Sequence, residues 1–491
     1  MTATAPQDNV IGEKVFAPED QELFARLSLD RNPMHMDPVA ARRLMTGTQV
    51  VHGVHLLLTA LEYCSHTGMR EPGSIRCSFN NPVGVGDRVR FALSRNDASG
   101  VQIDASVNGM LCCQATIATA QSRAMASAPT LTATSGTDAD SASWSRLATP
   151  SDEAPQAHLG RRYPIALNDR DFAASFPRCV ASLGQEPVAA IASLSYMVGM
   201  VCPGLHSVFS SLRLELRRGA QATNTLAFTI DKYDNRVHLF DISFAGCIAG
   251  SLKAFRRPPP QRQASLAELS VQVKAGEFGA SRALVIGGSR GLGELTARML
   301  AAGGGSVVVS YASGRADAQA LCAEINAAAA GRCEALKIDL LHDRFETLAL
   351  DWNRFDVVYF FPTPRIFRKK TGLFDAPLFA EFVHFYIDKF FELCTLLEAH
   401  PRTEKAKVFL PSTVFLTERP KGMTEYVMAK AAAEILVEDI NRSFRNLTVV
   451  ATRLPRLSTD QTASILKLAT DSNVDTLLPL LRALHARTSA D

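Results

Sequence analysis

Asp30 and His35 stand five residues apart around an Asn32-Pro33 turn, and His52-Gly53 follows some fifteen residues on, ahead of an apolar helix. Such a turn fixes the backbone between the carboxylate and the imidazole, so both can reach one water molecule. A pair of that kind takes a proton from water and delivers one to carbon, as conjugate addition demands. An α,β-unsaturated thioester would also need its developing enolate oxygen stabilised, and the first amides of the helix after His52-Gly53 offer that. A second constellation lies far downstream. Leu284-Val285-Ile286 leads into Gly287, Gly288, Ser289, Arg290, Gly291, Leu292 and Gly293, a glycine-rich turn between a strand and a helix. Glycines there let the backbone approach a pyrophosphate at a helix N-terminus. Tyr426 and Lys430, four apart, share a helix face, and a nearby cation makes the phenol a better proton donor to a carbonyl receiving hydride. Ser412 and Thr413 end a strand just before them, and either hydroxyl could hold the substrate oxygen.

The elements that must position these groups fall into three blocks. Residues 121–156, rich in Ser, Thr, Ala, Asp and Pro, read as a flexible linker, and the Pro258-Pro259-Pro260 stretch within 258–274 as a stiffer one. Between them lie residues 1–120, 157–257 and 275–470, with a tail or helix over 471–491. The first two blocks each place a long apolar helix (Leu56 to Tyr63, then Val188 to Met200) before β-rich runs, an α+β layer pattern. The third alternates short strands and helices from Ala283 to Thr452, the rhythm of an α/β, doubly wound parallel sheet. Phe382 to Leu397 reads as a core or subunit-contact helix, since Asp388, Lys389 and Glu392 interrupt its apolar surface.

The segment from Ser28 through Asp37, with His52-Gly53, resembles the MaoC-like, (R)-specific enoyl-CoA hydratases of the hot-dog fold. The resemblance implies that Asp30 and His35 are the catalytic dyad, that Asn32 orders the site and that the Gly53 amide meets the thioester carbonyl. The turn at Val83 to Asp87 fits the same family, whereas Leu29 stands where many members have Gly. The second block carries no such motif and is read as a degenerate second hot-dog, pairing with the first edge to edge and walling the acyl tunnel; its His206 is read as structural.

Gly287, Gly291 and Gly293, with Tyr426 and Lys430, resemble the short-chain dehydrogenase/reductase family and its Rossmann fold. By that resemblance Asp339 contacts adenine, and the family's serine falls on Thr413 by spacing and on Ser412 by chemistry. No acid ends the second strand of this block, while Arg290 and Arg315 are placed for a 2′-phosphate, so NADP(H) is the expected cofactor. Two departures mark the nicotinamide side: Phe360 to Pro364 replaces Asn-Asn-Ala-Gly, and Tyr386 is the nearest match to the relay asparagine. The resemblance also implies a homodimer through the reductase helices.

The expectation is a bifunctional enzyme of acyl-CoA or acyl carrier protein thioesters, a hydratase or 3-hydroxyacyl dehydratase joined to a 3-oxoacyl reductase. The two chemistries share a 3-hydroxyacyl intermediate. The alternatives are a chain with one catalytic half, and a non-catalytic acyl-binding module. A net charge of +3 gives no general case for nucleic acid or membrane binding. Ten cysteines without CxxC pairs suggest reduced thiols rather than disulfides or zinc, and no other metal is expected. With neither a secretory pattern at the start nor a long apolar run, the expected location is cytoplasmic.

Overall fold

The computed structural model describes residues 9–44, 46–65, 72–119, 144–217, 224–328, 332–368, 372–463 and 469–486. The chain divides into two compact units at Pro259–Pro260. Among the described residues no helix is long and apolar enough to cross a membrane.

The first unit is built on a ten-stranded antiparallel sheet. Its strands are β1 (Val10–Val15), β2 (Pro72–Phe79), β3 (Arg88–Asp97), β4 (Gly100–Val107), β5 (Met110–Thr119), β6 (Arg162–Ala166), β7 (Ser207–Leu216), β8 (Thr225–Asp234), β9 (Leu239–Ala245) and β10 (Ile248–Arg256). The spatial order is β1-β3-β4-β5-β2-β7-β10-β9-β8-β6, so the second five strands repeat the pattern of the first five in reverse. The two sets meet where β2 pairs with β7, Ile75 opposite Leu214 and Cys77 opposite Leu212. Each set thereby covers an edge the other would leave open. Alternation drives the layering: Val101, Ile103, Ala105 and Val107 of β4 point inward, as do Leu226, Phe228 and Ile230 of β8. β4 with β5, and β9 with β10, fold as hairpins. Asn108 and Gly109, both at positive φ (49° and 77°), make the first of those turns. Cys112 and Cys113 are both buried, because a bulge opposite Ala105–Ser106 breaks the alternation there. The helices Gly53–Cys64 and Gln185–Tyr196 pack on this sheet and on each other within one apolar core.

Of the stretch read as a flexible linker, residues 120–143 lie outside the described residues. Trp144 onward is packed: its ring meets Tyr163 edge-on and its carbonyl accepts from the Tyr196 hydroxyl at 2.7 Å.

The second unit is a six-stranded parallel sheet of β11 (Arg282–Ile286), β12 (Ser306–Tyr311), β13 (Arg332–Lys337), β14 (Val357–Phe360), β15 (Ala406–Thr413) and β16 (Leu447–Leu454). Its order is β13-β12-β11-β14-β15-β16, the doubly wound arrangement. Both faces are covered, so successive residues feed two different cores. Ala283, Val285, Val307 and Val309 join the helices Gly291–Ala302, Arg315–Ala327 and Asn473–His485 on one face. Leu284, Ile286, Val308 and Val358 join Phe390–Glu398 and Thr424–Ser443 on the other. The helix expected over Phe382 to Leu397 is interrupted by a wider turn at His384–Lys389. All ten cysteines are free and buried.

Candidate functional site

In the first unit the helix Pro18–Ser28 ends on Leu29, whose φ of 64° is left-handed. That conformation explains the glycine expected at this position: Leu29 takes it at a cost of roughly 1–2 kcal/mol. The chain thereby turns sharply into Asp30. The Asn32 side chain then caps the short turn Pro33–Met36, accepting from the Met34 amide at 3.1 Å. His35 follows on that turn. Val50 and Val51 are held against the turn at Val83 to Asp87, with the Val51 amide on the Val83 carbonyl at 2.9 Å, and this aligns His52 and Gly53.

Nitrogens of His35 and His52 and a carboxylate oxygen of Asp30 lie within 4.8 Å of one another. His35 Nδ1 faces the Val50 carbonyl at 2.8 Å and must donate to it, so its lone pair lies on Nε2. The His52 ring stacks on His35 with centroids 3.9 Å apart, and its Nε2 donates to the Asp30 carbonyl at 3.1 Å. Two of the three groups thus spend a ring nitrogen on carbonyls, which suits acid–base work better than holding a cation. Burial pushes the Asp30 carboxyl up, with His35, Ser195 and the Asn32 amide pulling it back. Burial pushes His35 down, opposed by Asp30 and the Val50 carbonyl. Burial thus disfavours the charged form of both groups, and their mutual attraction opposes it. Asp30 is 1% exposed and His35 9%.

Several groups that fix this site went unread in the sequence, most of them because they lie in the second half of the unit. Ser195 Oγ donates to Asp30 Oδ2 at 2.7 Å. A Cβ on Gly199 would sit 2.3 Å from Asp30 Oδ1, so only glycine admits the carboxylate. Asn32 Nδ2 donates to the Gly199 and Gly204 carbonyls at 2.8 and 3.1 Å. The buried Arg257, pushed down by burial to about 10, donates to the Leu205 carbonyl at 2.9 Å. Gln21 Nε2 shares the Val50 carbonyl with His35. No local spacing announces any of these. His206 is buried against Asp152, with Nε2 3.4 Å from Oδ1. Gly53 opens its helix beside the Phe79 ring, which leaves a Cβ only 3.0 Å.

The second unit assembles the other constellation. Gly287 and Gly291 take φ of 74° and 61°, and nothing lies within 4 Å of a Cβ on Gly291. A Cβ on Gly293 would be 2.4 Å from the Gly287 carbonyl oxygen, so helix and strand close tightly. This open turn at the start of Gly291–Ala302, flanked by the buried Ser289, by Arg290 and by Leu292, fits a pyrophosphate. Arg315 begins the helix after β12 and is exposed; Asp339 Oδ1 accepts from the Leu341 amide at 3.1 Å. Thr413 lies beside Tyr426 and draws its phenol downward against burial, which nonetheless pushes it up to about 12. Ser412 instead donates to Glu434 at 2.5 Å, so of the two hydroxyls Thr413 is the one joined to Tyr426. Lys430 is buried, donates to the Pro411 carbonyl at 2.6 Å, and lies 3.7 Å from the centre of the Tyr386 ring. Burial pushes it down to about 7, against the pull of Glu434.

Comparison with known proteins bears on both units. Residues 2–110 match the MaoC like domain, and residues 281–360 match the short chain dehydrogenase model. The chain carries a MaoC-like domain followed by a short-chain dehydrogenase domain. Over 80 residues it is 32% identical to the mitochondrial 3-hydroxyacyl-[acyl-carrier-protein] dehydratase of Arabidopsis thaliana, covering 16% of this chain and 46% of that one. It thus spans under half the length of that relative. The short-chain dehydrogenase domain is similar to two solved structures. One is a short chain dehydrogenase from Burkholderia cenocepacia J2315 in complex with NADP, at 22% identity and TM-score 0.35, covering 42% of this chain and 91% of that one. The other is a short-chain dehydrogenase from Sphingobium yanoikuyae in complex with NADPH, at 17% identity and TM-score 0.36, covering 42% and 85%.

Proposed function

We propose that the MaoC-like domain is an (R)-specific enoyl-thioester hydratase, or in reverse a 3-hydroxyacyl dehydratase, and that its unit is a double hot-dog whose second half carries no dyad of its own. The observation that carries this is the His35 ring, whose Nδ1 is committed to the Val50 carbonyl and whose Nε2 is left as a base beside Asp30. His35 Nε2 takes a proton from water as the hydroxyl adds to C3. That proton goes on to C2 with Asp30 holding the water, so the enzyme ends as it began. The Gly53 amide, at a helix start, meets the charge that develops on the thioester oxygen.

The short-chain dehydrogenase domain is proposed to be an NADP(H)-dependent 3-oxoacyl reductase, supported by the open glycine turn and by Arg290 and Arg315 near the expected 2′-phosphate. NADP(H), when bound, supplies the hydride. Tyr426 holds the proton for the carbonyl oxygen, Thr413 orients that oxygen, and Asp339 lies toward the adenine side. Substrates are acyl-CoA or acyl carrier protein thioesters, and Phe391, Met428 and Ile435, exposed on adjacent helices, support a homodimer through this domain.

Incubating the protein with crotonyl-CoA, and separately with acetoacetyl-CoA plus NADPH, tests both halves. The expected product of each is (R)-3-hydroxybutyryl-CoA; the (S) product or none from crotonyl-CoA would overturn the hydratase reading. A second reading, an active hydratase with a slow or non-catalytic reductase domain, is favoured by Lys430 lying against the Tyr386 ring, at 3.7 Å, rather than against Tyr426, at 6.0 Å.

A further inference from the structure

Tyr386 stands where the resemblance places a proton-relaying asparagine, yet its surroundings assign it different work. It is 1% exposed and sits in the wide turn His384–Lys389. Its ring covers the Lys430 ammonium at 3.7 Å, closer than the 6.0 Å from Lys430 to the centre of the Tyr426 ring. A buried cation needs compensation, and an aromatic face supplies it without a second charge. The nearby carboxylate pulls on Lys430 only from a distance, being engaged elsewhere. Glu434 is held by Ser412 at 2.5 Å and by Arg453 at 2.7 Å.

The Tyr386 hydroxyl meets Thr363 Oγ1 at 2.5 Å, and Thr363 Oγ1 itself donates to the Pro364 carbonyl at 3.0 Å. Thr363 has one hydroxyl proton, already spent on that carbonyl. Tyr386 must therefore be the donor, and its proton chain ends on a peptide oxygen that has none to pass on. The latched segment is the one that replaces the expected Asn-Asn-Ala-Gly. It lies directly on the glycine turn, with the Pro362 nitrogen 3.2 Å from where a Gly287 Cβ would be.

We infer that Tyr386 is a positioning residue with two separable functions: its ring face holds Lys430, and its hydroxyl latches the Pro362–Pro364 segment against the dinucleotide turn. It relays no proton. The inference rests on the dinucleotide reading of this domain, but two of its tests need no cofactor.

The variants are Tyr386→Phe, which keeps the ring and drops the latch, Thr363→Val, which drops only the latch, and Tyr386→Leu, which drops both. Tyr386→Met replaces the last if it fails to fold. In the cofactor-free full chain, acylation of Lys430 by an N-hydroxysuccinimide ester at pH 6.5, below the value of about 7 at which Lys430 loses its charge, is followed by peptide mass spectrometry. Wild type, Tyr386→Phe and Thr363→Val should label within about twofold of one another, and Tyr386→Leu at least tenfold faster. For the latch, Tyr386→Phe and Thr363→Val should lower the melting temperature by similar amounts, and the double variant by no more than either. NADPH titration by fluorescence should show about threefold weaker binding for both latch variants and about thirtyfold for Tyr386→Leu.

Tyr386→Phe labelling as fast as Tyr386→Leu would overturn the ring function, and additive losses in the double variant would overturn the latch. A wild-type protein that binds no NADPH would sink the dinucleotide reading, while labelling and melting still decide the inference.

Discussion

The acid–base cluster of the first unit and the tyrosine–lysine cluster of the second are both buried, and they differ in what their supporting hydrogen bonds consume. Around Asp30 and His35 the supports take the atoms that chemistry does not need. Val50 occupies His35 Nδ1, Ser195 and the Asn32 amide occupy one position on each Asp30 oxygen, and His35 Nε2 stays free. In the second unit the supports engage the polar groups around Tyr426 and Thr413. Lys430 donates one of its three N–H groups to the Pro411 carbonyl, Ser412 donates to Glu434, and Tyr386 donates to Thr363. Burial alone does not make a site reactive. What decides is which lone pairs and protons remain uncommitted after the fold has satisfied the rest.

The sharpest way to break this contrast is Asp30→Asn. Hydration of crotonyl-CoA should fall about 1,000-fold, within the range for losing a positioned acid or base, with acetoacetyl-CoA reduction unaltered. The same change should stabilise the protein. The folded Asp30 carboxyl is raised by burial, so its ionisation costs stability as pH climbs through the folded value and costs none below the unfolded one. The variant's gain in melting temperature should therefore grow as pH rises above about 4 and vanish below it. A gain independent of pH would mean that Asp30 is not buried against its ionised form.

Gly199→Ala comes next. A methyl group 2.3 Å from Asp30 Oδ1 must displace the carboxylate or the turn bearing Gly199. Hydration should drop about 100-fold, as a 1 Å misplacement can, and stability by about 1–3 kcal/mol in a urea titration, as for an overpacked core. Near-normal rates would show that the second half merely walls the first.

Ser195→Ala is milder and more specific. The Ser195 hydroxyl lowers the Asp30 carboxyl against the larger effect of burial. Removing it raises that group further, so the acid limb of the hydratase pH–rate profile should move to higher pH. The maximal rate should fall about tenfold, an interaction of about 1.4 kcal/mol within the range for hydrogen bonds to charged groups. An unmoved limb would separate Ser195 from Asp30 function.

These variants also mark what the sequence could and could not disclose. The approach of Asp30 to His35 was legible because Asp30, Asn32, His35 and Gly53 sit on one stretch of chain, where a turn and a helix start dictate their relation. The glycine turn and the Tyr426–Lys430 face were legible for the same reason, a fixed local period. Ser195, Gly199 and Arg257 were not. Each meets the site only through the fold of the whole unit, which brings Ser195 and Gly199, 165 and 167 positions along the chain, against Asp30 and Asn32, and Arg257 from farther still. The bulge that buries Cys112 together with Cys113 was equally hidden, since strict alternation would have set them on opposite faces. The choice between Ser412 and Thr413 turned on Glu434, a helix residue that no strand pattern names.

The smallest expected effect bears on the second cluster. Lys430, held near 7 by burial, would carry a normal value of 10.5 once unfolded. Between those values the unfolded chain binds more protons than the folded one, so stability rises with pH across that window. Its nearest titrating neighbours, Tyr386 and Tyr426, are both raised by burial, the latter to about 12, and stay protonated there. Lys430→Met should remove the slope: melting temperatures measured from pH 6.5 to 10 should gain a few degrees over wild type at pH 7 and nothing at pH 10, a modest shift for a domain of this size. A constant difference across that range would show that the Tyr386 face offsets burial fully and keeps Lys430 charged. The second cluster would then be as well poised as the first, and the contrast between them would rest on the Tyr386–Thr363 and Ser412–Glu434 bonds alone.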